Sequence, residues 1–397
     1  MRLTQKLSSN NVPFVDELFA AAIDPGIISL AGGLPDPDTF PEEIISSLGS
    51  DYLKNAGVYQ YGSSIGYRPL VDYLSADYEL EETGSLMMCN GAQQGLDLVA
   101  RAFLDESDSV VMEVPNFVGA IQVFKMTSAA IIAVPPLTND QAFFELEKVF
   151  RDRRPKVFYA VPDFSNPTGF TWSLATRKRV ANLCIQYGVI LLEDVPYRQL
   201  RFSGTSHPLA SKFCPGNSIV LRSFSKVTAP GFRLCSVSGS NKLLAPLIKL
   251  KQITDIHSSL PMQALLLEVL KHPGFSEHLS KVRRNYNKRY SKMMAVIRGN
   301  LPSSFEVDGI EGGMFVWMKV PKCDTLDLAD YLLQKGIAVM PSASFYPDGN
   351  AIEIGIRINF TSLPYSQIEN AVIKLCNALN DYSYNDGFCA KFSKVTR

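Results

Sequence analysis

The sequence predicts an α/β protein with a large domain built on a mostly parallel seven-stranded sheet flanked by helices, and a smaller α/β domain. Between about residues 85 and 239, short apolar runs alternate with amphipathic stretches, a pattern typical of buried parallel strands joined by helices. A second alternation of the same kind begins near residue 314. The chain has 397 residues, of which 46% are hydrophobic, enough for two domains with sizeable cores.

The elements of the large domain follow in regular order. The predicted strands cover residues 86–89, 109–114, 130–134, 156–160, 189–192, 218–221 and 234–238. Helical patterns between them cover residues 95–104, 117–126, 140–151 and 174–187. In such a sheet, ligands bind beyond the carboxyl ends of the strands, so the loops there are the first place to look for chemistry.

Two long helical stretches, 242–270 and 275–300, come next, and Pro246 and Pro261 interrupt the first of them. The smaller region then shows strand patterns at 314–320, 337–340 and 356–360, and helical patterns at 326–335 and 365–379. The tail from residue 381 shows little pattern. We predict an N-terminal segment 1–50 that joins the small domain, a large domain 51–285, and a C-terminal small domain 286–397.

Composition argues against several classes of partner. Lys plus Arg and Asp plus Glu both number 39, so the net charge gives no reason to expect nucleic acid or an anionic membrane. No apolar run is long enough to span a bilayer, and the first residues lack the apolar stretch of a signal peptide. The seven cysteines are scattered and the four histidines lack metal-ligand spacing. We therefore expect a cytoplasmic protein without a metal or a disulfide framework.

The first chemical signal is the segment Ser223-Phe224-Ser225-Lys226, which follows a predicted strand and precedes Arg233. An enzyme that uses pyridoxal 5′-phosphate needs a lysine to condense with the cofactor aldehyde, and hydroxyl and guanidinium groups to hold its phosphate. This loop contains all of them. A lysine in a serine-rich loop is usually a surface residue, so the assignment depends on the other motifs.

Two more strands end in polar residues. Asn166 lies in an Asn-Pro-Thr-Gly turn, which could be a turn only or could donate to the cofactor's phenolic oxygen. Asp194 ends a very apolar strand, where a carboxylate is costly unless it is paired, and a protonated pyridine nitrogen would pair it. The alternative for Asp194 is a helix N-cap. Tyr197 could reach the phenolic oxygen beside Asn166.

The remaining signals concern the phosphate and the ring. Gly91, Ala92 and Gln93 lie in a glycine-rich turn between a predicted strand and an amphipathic helix, where backbone amides can bind a phosphate. Phe117 follows another strand and could stack on the pyridine ring, although it could equally belong to the core. Each motif is weak alone. Their combination in one order along the chain is specific.

In that order, beginning with Tyr59-Gln60-Tyr61-Gly62 and ending with Arg233, the chain resembles the class I/II aminotransferases of fold type I. The resemblance runs from about residue 29 to residue 364, and it is closest to the branch of the 2-aminoadipate and kynurenine aminotransferases. Three further segments, 29–35, 312–317 and 356–360, are similar to that branch. The resemblance implies the fold of a fold-type-I pyridoxal-phosphate-dependent transferase.

The resemblance also implies a role for each matching residue. Lys226 would carry the cofactor as a Schiff base and move the substrate proton, and Asp194 would pair with the pyridine nitrogen. Asn166 and Tyr197 would bind the phenolic oxygen, and Phe117 would stack on the ring. The groups around the phosphate would be the turn at Gly91, Ala92 and Gln93, together with Ser223, Ser225 and Arg233. Arg357, Gly33 and Asn166 would bind the substrate carboxylate. Tyr61 would reach the phosphate of a neighbouring subunit, so the expected working unit is a homodimer.

Three positions bear on how far the resemblance extends. Ala92 stands where many relatives have serine, which removes one phosphate donor at a cost of about 1 kcal/mol at most. Phe14 falls where relatives that act on acidic side chains often have a basic residue, which weakens the aminoadipate interpretation. Asp255 could favour a cationic substrate side chain, or it could satisfy local structure, as such residues more often do.

The leading hypothesis is amino transfer between an L-amino acid and a 2-oxo acid. A first alternative keeps the cofactor and leads instead to elimination, replacement or ring closure on the amino-acid side chain, as in specialised metabolism. The second alternative is a ligand-sensing domain of a transcription regulator. We favour an enzyme over a regulator because the resemblance begins near residue 29, which leaves no room for a DNA-binding module ahead of it.

Overall fold

The computed structural model describes residue 24 and residues 26–54, 56–78 and 84–384. Numbered in chain order within these ranges, the α-helices are α1 (Glu42–Ser47), α2 (Arg68–Asp77), α3 (Gly91–Phe103), α4 (Val118–Lys125), α5 (Asp140–Arg153), α6 (Leu174–Tyr187), α7 (Asn241–Thr254), α8 (Leu260–Lys271), α9 (Phe275–Asn300), α10 (Thr325–Gln334) and α11 (Ile368–Tyr384). The strands are β1 (Ile28–Ser29), β2 (Gly84–Cys89), β3 (Ser109–Glu113), β4 (Ala130–Val134), β5 (Val157–Ala160), β6 (Ile190–Asp194), β7 (Ser218–Ser223), β8 (Cys235–Ser240), β9 (Glu306–Val307), β10 (Phe315–Lys319), β11 (Ile337–Ala338), β12 (Met340–Pro341) and β13 (Gly355–Asn359).

The large sheet has seven strands in the order β2-β8-β7-β6-β5-β3-β4, as the sequence predicted in number. β8 runs antiparallel to both of its neighbours, β2 and β7, and the other four pairs of adjacent strands are parallel. The central strands β3, β5 and β6 are apolar on both faces, because helices cover the sheet from both sides: Val110, Val111, Phe158 and Leu191 are all fully buried.

Local signals determine where the helices on this sheet begin and end. The Ser173 hydroxyl accepts from the Thr176 amide at the start of α6, and Gly188, with φ of 67°, ends that helix. The Asn139 side chain likewise accepts from the Ala142 amide at the start of α5. These caps explain why the predicted helices at 140–151 and 174–187 agree closely with the observed ones.

The smaller unit contains a four-stranded sheet in the order β12-β13-β10-β9, in which Trp317 of β10 pairs with Arg357 of β13. The single strand predicted at 337–340 is wrong. Residues 337–338 form β11, which pairs in parallel with β1, whereas residues 340–341 form β12, which pairs with β13. The chain passes from one sheet to the other at Val339, and an apolar run does not reveal such a change of partner.

Proline had a smaller effect on the helices than predicted. Pro246 lies inside α7 and does not interrupt it, because Leu243, Leu244 and Leu247 are buried around it and packing outweighs one missing hydrogen bond. Pro261 lies in the first turn of α8, where it needs no partner. The actual break is the loop 255–259. At the C-terminus, α11 extends to Tyr384, past the predicted end at 379, and the tail beyond it lies outside the described residues.

The N-terminal part of the described chain packs with the smaller unit, since β1 pairs with β11. The domain boundaries near residues 50 and 285 stay predictions. In the described ranges we find no helix that combines the length and the apolar character needed to cross a membrane.

Candidate active site

A cavity of about 410 Å³ opens beyond the carboxyl ends of β6 and β7, where the sequence placed most of its chemical signals. Its walls come from both parts of the molecule. The predicted site residues that line it are Gly33, Ala92, Gln93, Phe117, Asn166, Asp194, Tyr197, Ser223, Ser225, Lys226, Arg233 and Arg357. Residues that lie more than 300 positions apart in the chain therefore meet in one place.

Asp194 ends β6 and is buried, with only 3% of its surface exposed. Its Oδ2 accepts a hydrogen bond from the Tyr159 hydroxyl at 3.0 Å, whereas its Oδ1 is buried without a partner in the described structure. Burial raises the pKa of this carboxyl to about 7. The helix N-cap alternative is wrong, because the next short helix starts only at Arg198 with Tyr197 as its preceding residue. The orphaned oxygen fits a protonated ring nitrogen.

Lys226 lies just after β7 and points into the same cavity, where its Nζ donates to the Gly33 carbonyl at 2.7 Å. Burial, and then the positive charges of Arg357 and Arg233, lower the pKa of this amine to about 8. An amine with a lowered pKa is neutral in a larger fraction of molecules near pH 7, and the neutral form is the nucleophile.

Arg357 comes from β13 in the smaller unit and is 5% exposed. Its Nη1 donates to the Asn166 side-chain oxygen at 2.8 Å, its Nη2 donates to the Ala31 carbonyl, and its Nε is buried with no partner in the part of the chain that the structure describes. The guanidinium lies over the Phe315 ring, 4.2 Å from the centroid. Burial lowers its pKa to about 10. An arginine held in this way has donor capacity left for a carboxylate.

The start of α3 and Arg233 lie against each other at the other end of the cavity. A Cβ added to Gly91, which has φ of 77°, would lie 2.5 Å from the Arg233 Nη2, so only glycine allows this approach. Ser223 and Ser225 lie nearby, and the Ser225 amide donates to the Ser223 hydroxyl at 3.3 Å. Free amides, hydroxyls and a guanidinium are the groups that bind a phosphate.

Phe117 and Gln93 form one wall together with the backbone of α4. The Gln93 side-chain amide donates to the Gly119 carbonyl at 3.0 Å, and the Phe117 ring lies so close to Gly119 that a Cβ there would be 2.5 Å from it. Tyr197 closes another wall, edge-on to Phe315 with 5.8 Å between ring centroids. Burial raises the pKa of the Tyr197 hydroxyl, which has Asn166 as a hydrogen-bond partner.

Three predicted positions lie elsewhere. Tyr61 is 78% exposed and does not line the cavity. Phe14 lies outside the described residues. Asp255 is bonded to Lys251, Asn90 and Gln94 of its own chain, so the structure supports the local, structural interpretation of this residue and not a role in substrate choice.

Sequence analysis missed Tyr159 and Met340, which also line the cavity. Tyr159 lies in β5 beside Leu192 of β6, and it binds Asp194 across the two strands. Its only signal was a polar hydroxyl inside an otherwise apolar strand. Met340 had no signal, because its position depends on the break between β11 and β12.

Comparison with known proteins agrees with this geometry. Residues 51–375 match the family described as aminotransferase class I and II. The chain is 34% identical to a 2-aminoadipate transaminase of Thermus thermophilus over 92% of this chain and 93% of that protein. It is 30% identical to aromatic-amino-acid aminotransferase 1 of Thermococcus litoralis, over 92% of this chain and 91% of that protein.

A solved structure is similar over almost the whole chain. It is an α-aminoadipate aminotransferase of Thermus thermophilus in complex with N-(5′-phosphopyridoxyl)-L-leucine, with a TM-score of 0.88 and 32% identity over 96% of this chain and 98% of that one. The matching family, the identity and the shared fold leave one conclusion. The chain belongs to the class I and II aminotransferases, and it is a pyridoxal-phosphate-dependent enzyme that moves an amino group between an L-amino acid and a 2-oxo acid.

Proposed function

We propose that the cavity between β6, β7 and β13 is the catalytic site, and that its residues have the roles that the resemblance implies. The observation that carries this proposal is that one cavity contains both a buried carboxylate oxygen of Asp194 without a partner among the described residues and a buried amine of Lys226 with a lowered pKa. Each is costly to bury alone, and one cofactor with a cationic ring nitrogen and an aldehyde would satisfy both.

The cofactor would be held at three points. Asp194 would bind the ring nitrogen and Phe117 would pack on the ring face. Tyr197 and Asn166 lie together and would bind the phenolic oxygen. The first-turn amides of α3, at Gly91, Ala92 and Gln93, would share the phosphate with Ser223, Ser225 and Arg233, since this is where those three lie in the cavity.

The residues of the chain then account for the chemistry. When bound, pyridoxal phosphate supplies an aldehyde for the substrate amine and a ring that accepts the electron pair of the broken Cα–H bond. Arg357 would hold the substrate carboxylate through its free donors, with the Gly33 backbone beside it, and so fix the direction of that bond. Lys226 would take the proton from Cα and return it to the adjacent carbon of the cofactor.

We further propose that the preferred amino donor has a large neutral side chain, apolar or aromatic. Apart from the groups assigned above, the described lining includes Leu34, Val118, Phe315 and Met340. The cations of that described lining are Lys226, Arg233 and Arg357, and all three have other roles. The aromatic-amino-acid aminotransferase and the leucine conjugate among the relatives support this substrate class.

A screen of amino donors tests this substrate class. Purified enzyme is given phenylalanine, leucine, 2-aminoadipate or glutamate with one 2-oxo acid, and kcat/KM is measured for each. We expect phenylalanine or leucine to exceed 2-aminoadipate by at least about tenfold, because a second carboxylate would enter the apolar end of the cavity unpaired. Higher kcat/KM for 2-aminoadipate would contradict the proposal.

The working unit is proposed to be a homodimer, in which Tyr61 reaches the partner's phosphate. The support is the exposure of Tyr61 on the surface of one chain, where its ring has His257 as an edge-on neighbour at 6.1 Å. Light scattering would give the mass, and Tyr61→Phe should weaken cofactor binding if its hydroxyl serves a phosphate. A cytoplasmic location stays a prediction from the scattered cysteines, and a place in amino-acid biosynthesis is a prediction from the same resemblance.

Arg357→Ala is expected to raise KM for every amino donor by about 30- to 150-fold, since two charge-assisted hydrogen bonds are worth about 2–3 kcal/mol. The expected change in kcat is smaller. Steady-state kinetics with two donors of different side chain measures the effect. Arg357→Lys should retain part of the affinity, and Arg298→Ala, an exposed arginine on α9, should change nothing. An unchanged KM in Arg357→Ala would remove this residue from the carboxylate role.

Cofactor uptake by the apoenzyme is expected to become faster as pH rises and to level off above pH 8. Only the neutral amine of Lys226 reacts with an aldehyde, and its pKa is about 8. Below that value the rate should fall about tenfold per pH unit. Absorbance during reconstitution at a series of pH values measures the rate. A rate that keeps rising to about pH 10 would show an amine with an ordinary pKa.

A further inference from the structure

A buried ion pair lies behind the start of α3, outside the cavity. Lys251 is in the last turn of α7 and is fully buried, although an ammonium group is costly to remove from water. Its Nζ lies 2.9 and 3.0 Å from the two carboxylate oxygens of Asp255 and 3.1 Å from the Gln94 Oε1. Such a charge requires complete pairing. Here its partners are Gln94, which lies in α3, and Asp255, which is itself bonded to Gln94.

Asp255 carries this network to both sides of the glycine-rich turn. Its Oδ2 accepts from the Asn90 side-chain amide at 2.7 Å and from the Gln94 side-chain amide at 2.6 Å. The Gln94 Oε1 also accepts from the Asn90 backbone amide at 2.8 Å. Asn90 and Gln94 bracket residues 91–93, so one carboxylate holds the residue before the turn and the residue after it.

This arrangement keeps the first-turn amides of α3 available. Asn90 occupies the position from which a side chain often caps the helix, yet it makes no such bond in the described structure, because its side chain is bonded to Asp255. The amides at the helix start are therefore left for an anion. They matter more here because Ala92 has no hydroxyl to contribute.

We propose that Lys251 and Asp255 are positioning residues for the cofactor phosphate. They fix Asn90 and Gln94 so that the turn at 91–93 presents its amides at the distance from Arg233 that the phosphate needs. The proposal rests on the proposed function, because it assumes that the phosphate binds at this turn. It predicts that loss of the ion pair weakens binding of the phosphate group and leaves binding of the pyridine ring intact.

The test compares two forms of the same vitamin. Apoenzyme is titrated with pyridoxal 5′-phosphate and with pyridoxal, which lacks the phosphate, and binding is followed by absorbance. In Lys251→Met, we expect the dissociation constant for pyridoxal 5′-phosphate to rise at least about tenfold, and that for pyridoxal to stay within about twofold of the wild-type value. A general loss of stability would weaken both to the same extent.

A second variant keeps the test decisive if Lys251→Met does not fold. Gln94→Met retains the ion pair and its bond to Asn90 but removes its connection to the residue after the turn, so it should show the same selective loss. The double variant should be no worse than either single one, because both act through one network. Lys249→Met, on the exposed side of the same helix, is the matched control and should bind both compounds as the wild type does.

The outcomes separate the two levels of inference. Wild-type protein that binds no pyridoxal 5′-phosphate would overturn the proposed function itself. Wild-type protein that binds it, together with a Gln94→Met variant that binds it equally well, would overturn only the positioning role. Equal weakening for both compounds in the folded variants would also overturn that role. Selective weakening in both variants, without additivity, would support it.

Discussion

Lys226→Ala is expected to lower turnover by at least about 10⁴-fold, because it removes both the amine that condenses with the cofactor and the group that moves the substrate proton. After treatment with borohydride, wild-type holoenzyme should retain one cofactor covalently, and the variant should retain none. Mass spectrometry of the denatured chains measures this difference. Full turnover in the variant would rule out the proposed mechanism.

The same change should leave the fold intact. Within the described ranges the Lys226 amine donates one hydrogen bond, to Gly33, and its side chain borders open space, so its removal creates no closed cavity. Because burial lowers its pKa from 10.5 to about 8, the folded apoenzyme is penalised for holding the charged amine below pH 8. The variant apoenzyme should therefore unfold at the same temperature as the wild type or at a higher one near pH 7. Lys226→Arg, which keeps a charge but cannot condense, is the matched control.

Asp194→Asn is expected to have the second largest effect, a fall in kcat of roughly 10²- to 10³-fold with weaker cofactor binding. The loss of one partner of a buried ion pair costs about 3–5 kcal/mol, and here the pair is the one that keeps the cofactor ring protonated. Steady-state kinetics and a cofactor titration measure the two quantities. Asp152→Asn, which changes an exposed acid, should alter neither.

In the apoenzyme, Asp194→Asn is expected to be favourable, because it should raise the free energy of unfolding. The pKa of Asp194 is 3.8 in the unfolded chain and about 7 in the fold, so the folded state binds the extra proton between these values and the free energy of unfolding falls as pH rises through them. An asparagine side chain does not ionise, so the variant does not lose stability in this way. The stability advantage of Asp194→Asn apoenzyme should therefore grow from about pH 4 to pH 7 and then stay constant, at up to about 4 kcal/mol.

Denaturant unfolding of both apoenzymes at several pH values measures this difference. Added cofactor should reverse the order of stability above pH 7, because only the wild type gains the ion pair. An equal free energy of unfolding of the two apoenzymes at all pH values would mean that burial does not raise the pKa of this carboxyl. That result would remove the observation on which the proposed function rests.

Much of the fold could be predicted because short stretches of sequence determine many of its strands and helix ends. The short apolar runs at 109–114 and 156–160 contain β-branched or aromatic residues, which favour strands, and Ser173 and Gly188 mark the ends of α6 by their own side-chain and backbone chemistry. The candidate site was accessible for a related reason. Asp194 ends a strand, Lys226 and Asn166 each follow one, and the carboxyl ends of parallel strands meet at one edge of a sheet.

The tertiary structure alone decided which elements are neighbours. The contact of Arg357 with Asn166, the hydroxyl of Tyr159 on Asp194, and the split of residues 337–341 between two sheets all depend on partners far away in the chain. The same is true of the buried Lys251, which reads as an ordinary helix residue in the sequence. The periodicity of apolar residues predicts which face of each segment is buried and which is exposed to solvent. Which other segment packs against the buried face depends on the packing of the whole chain.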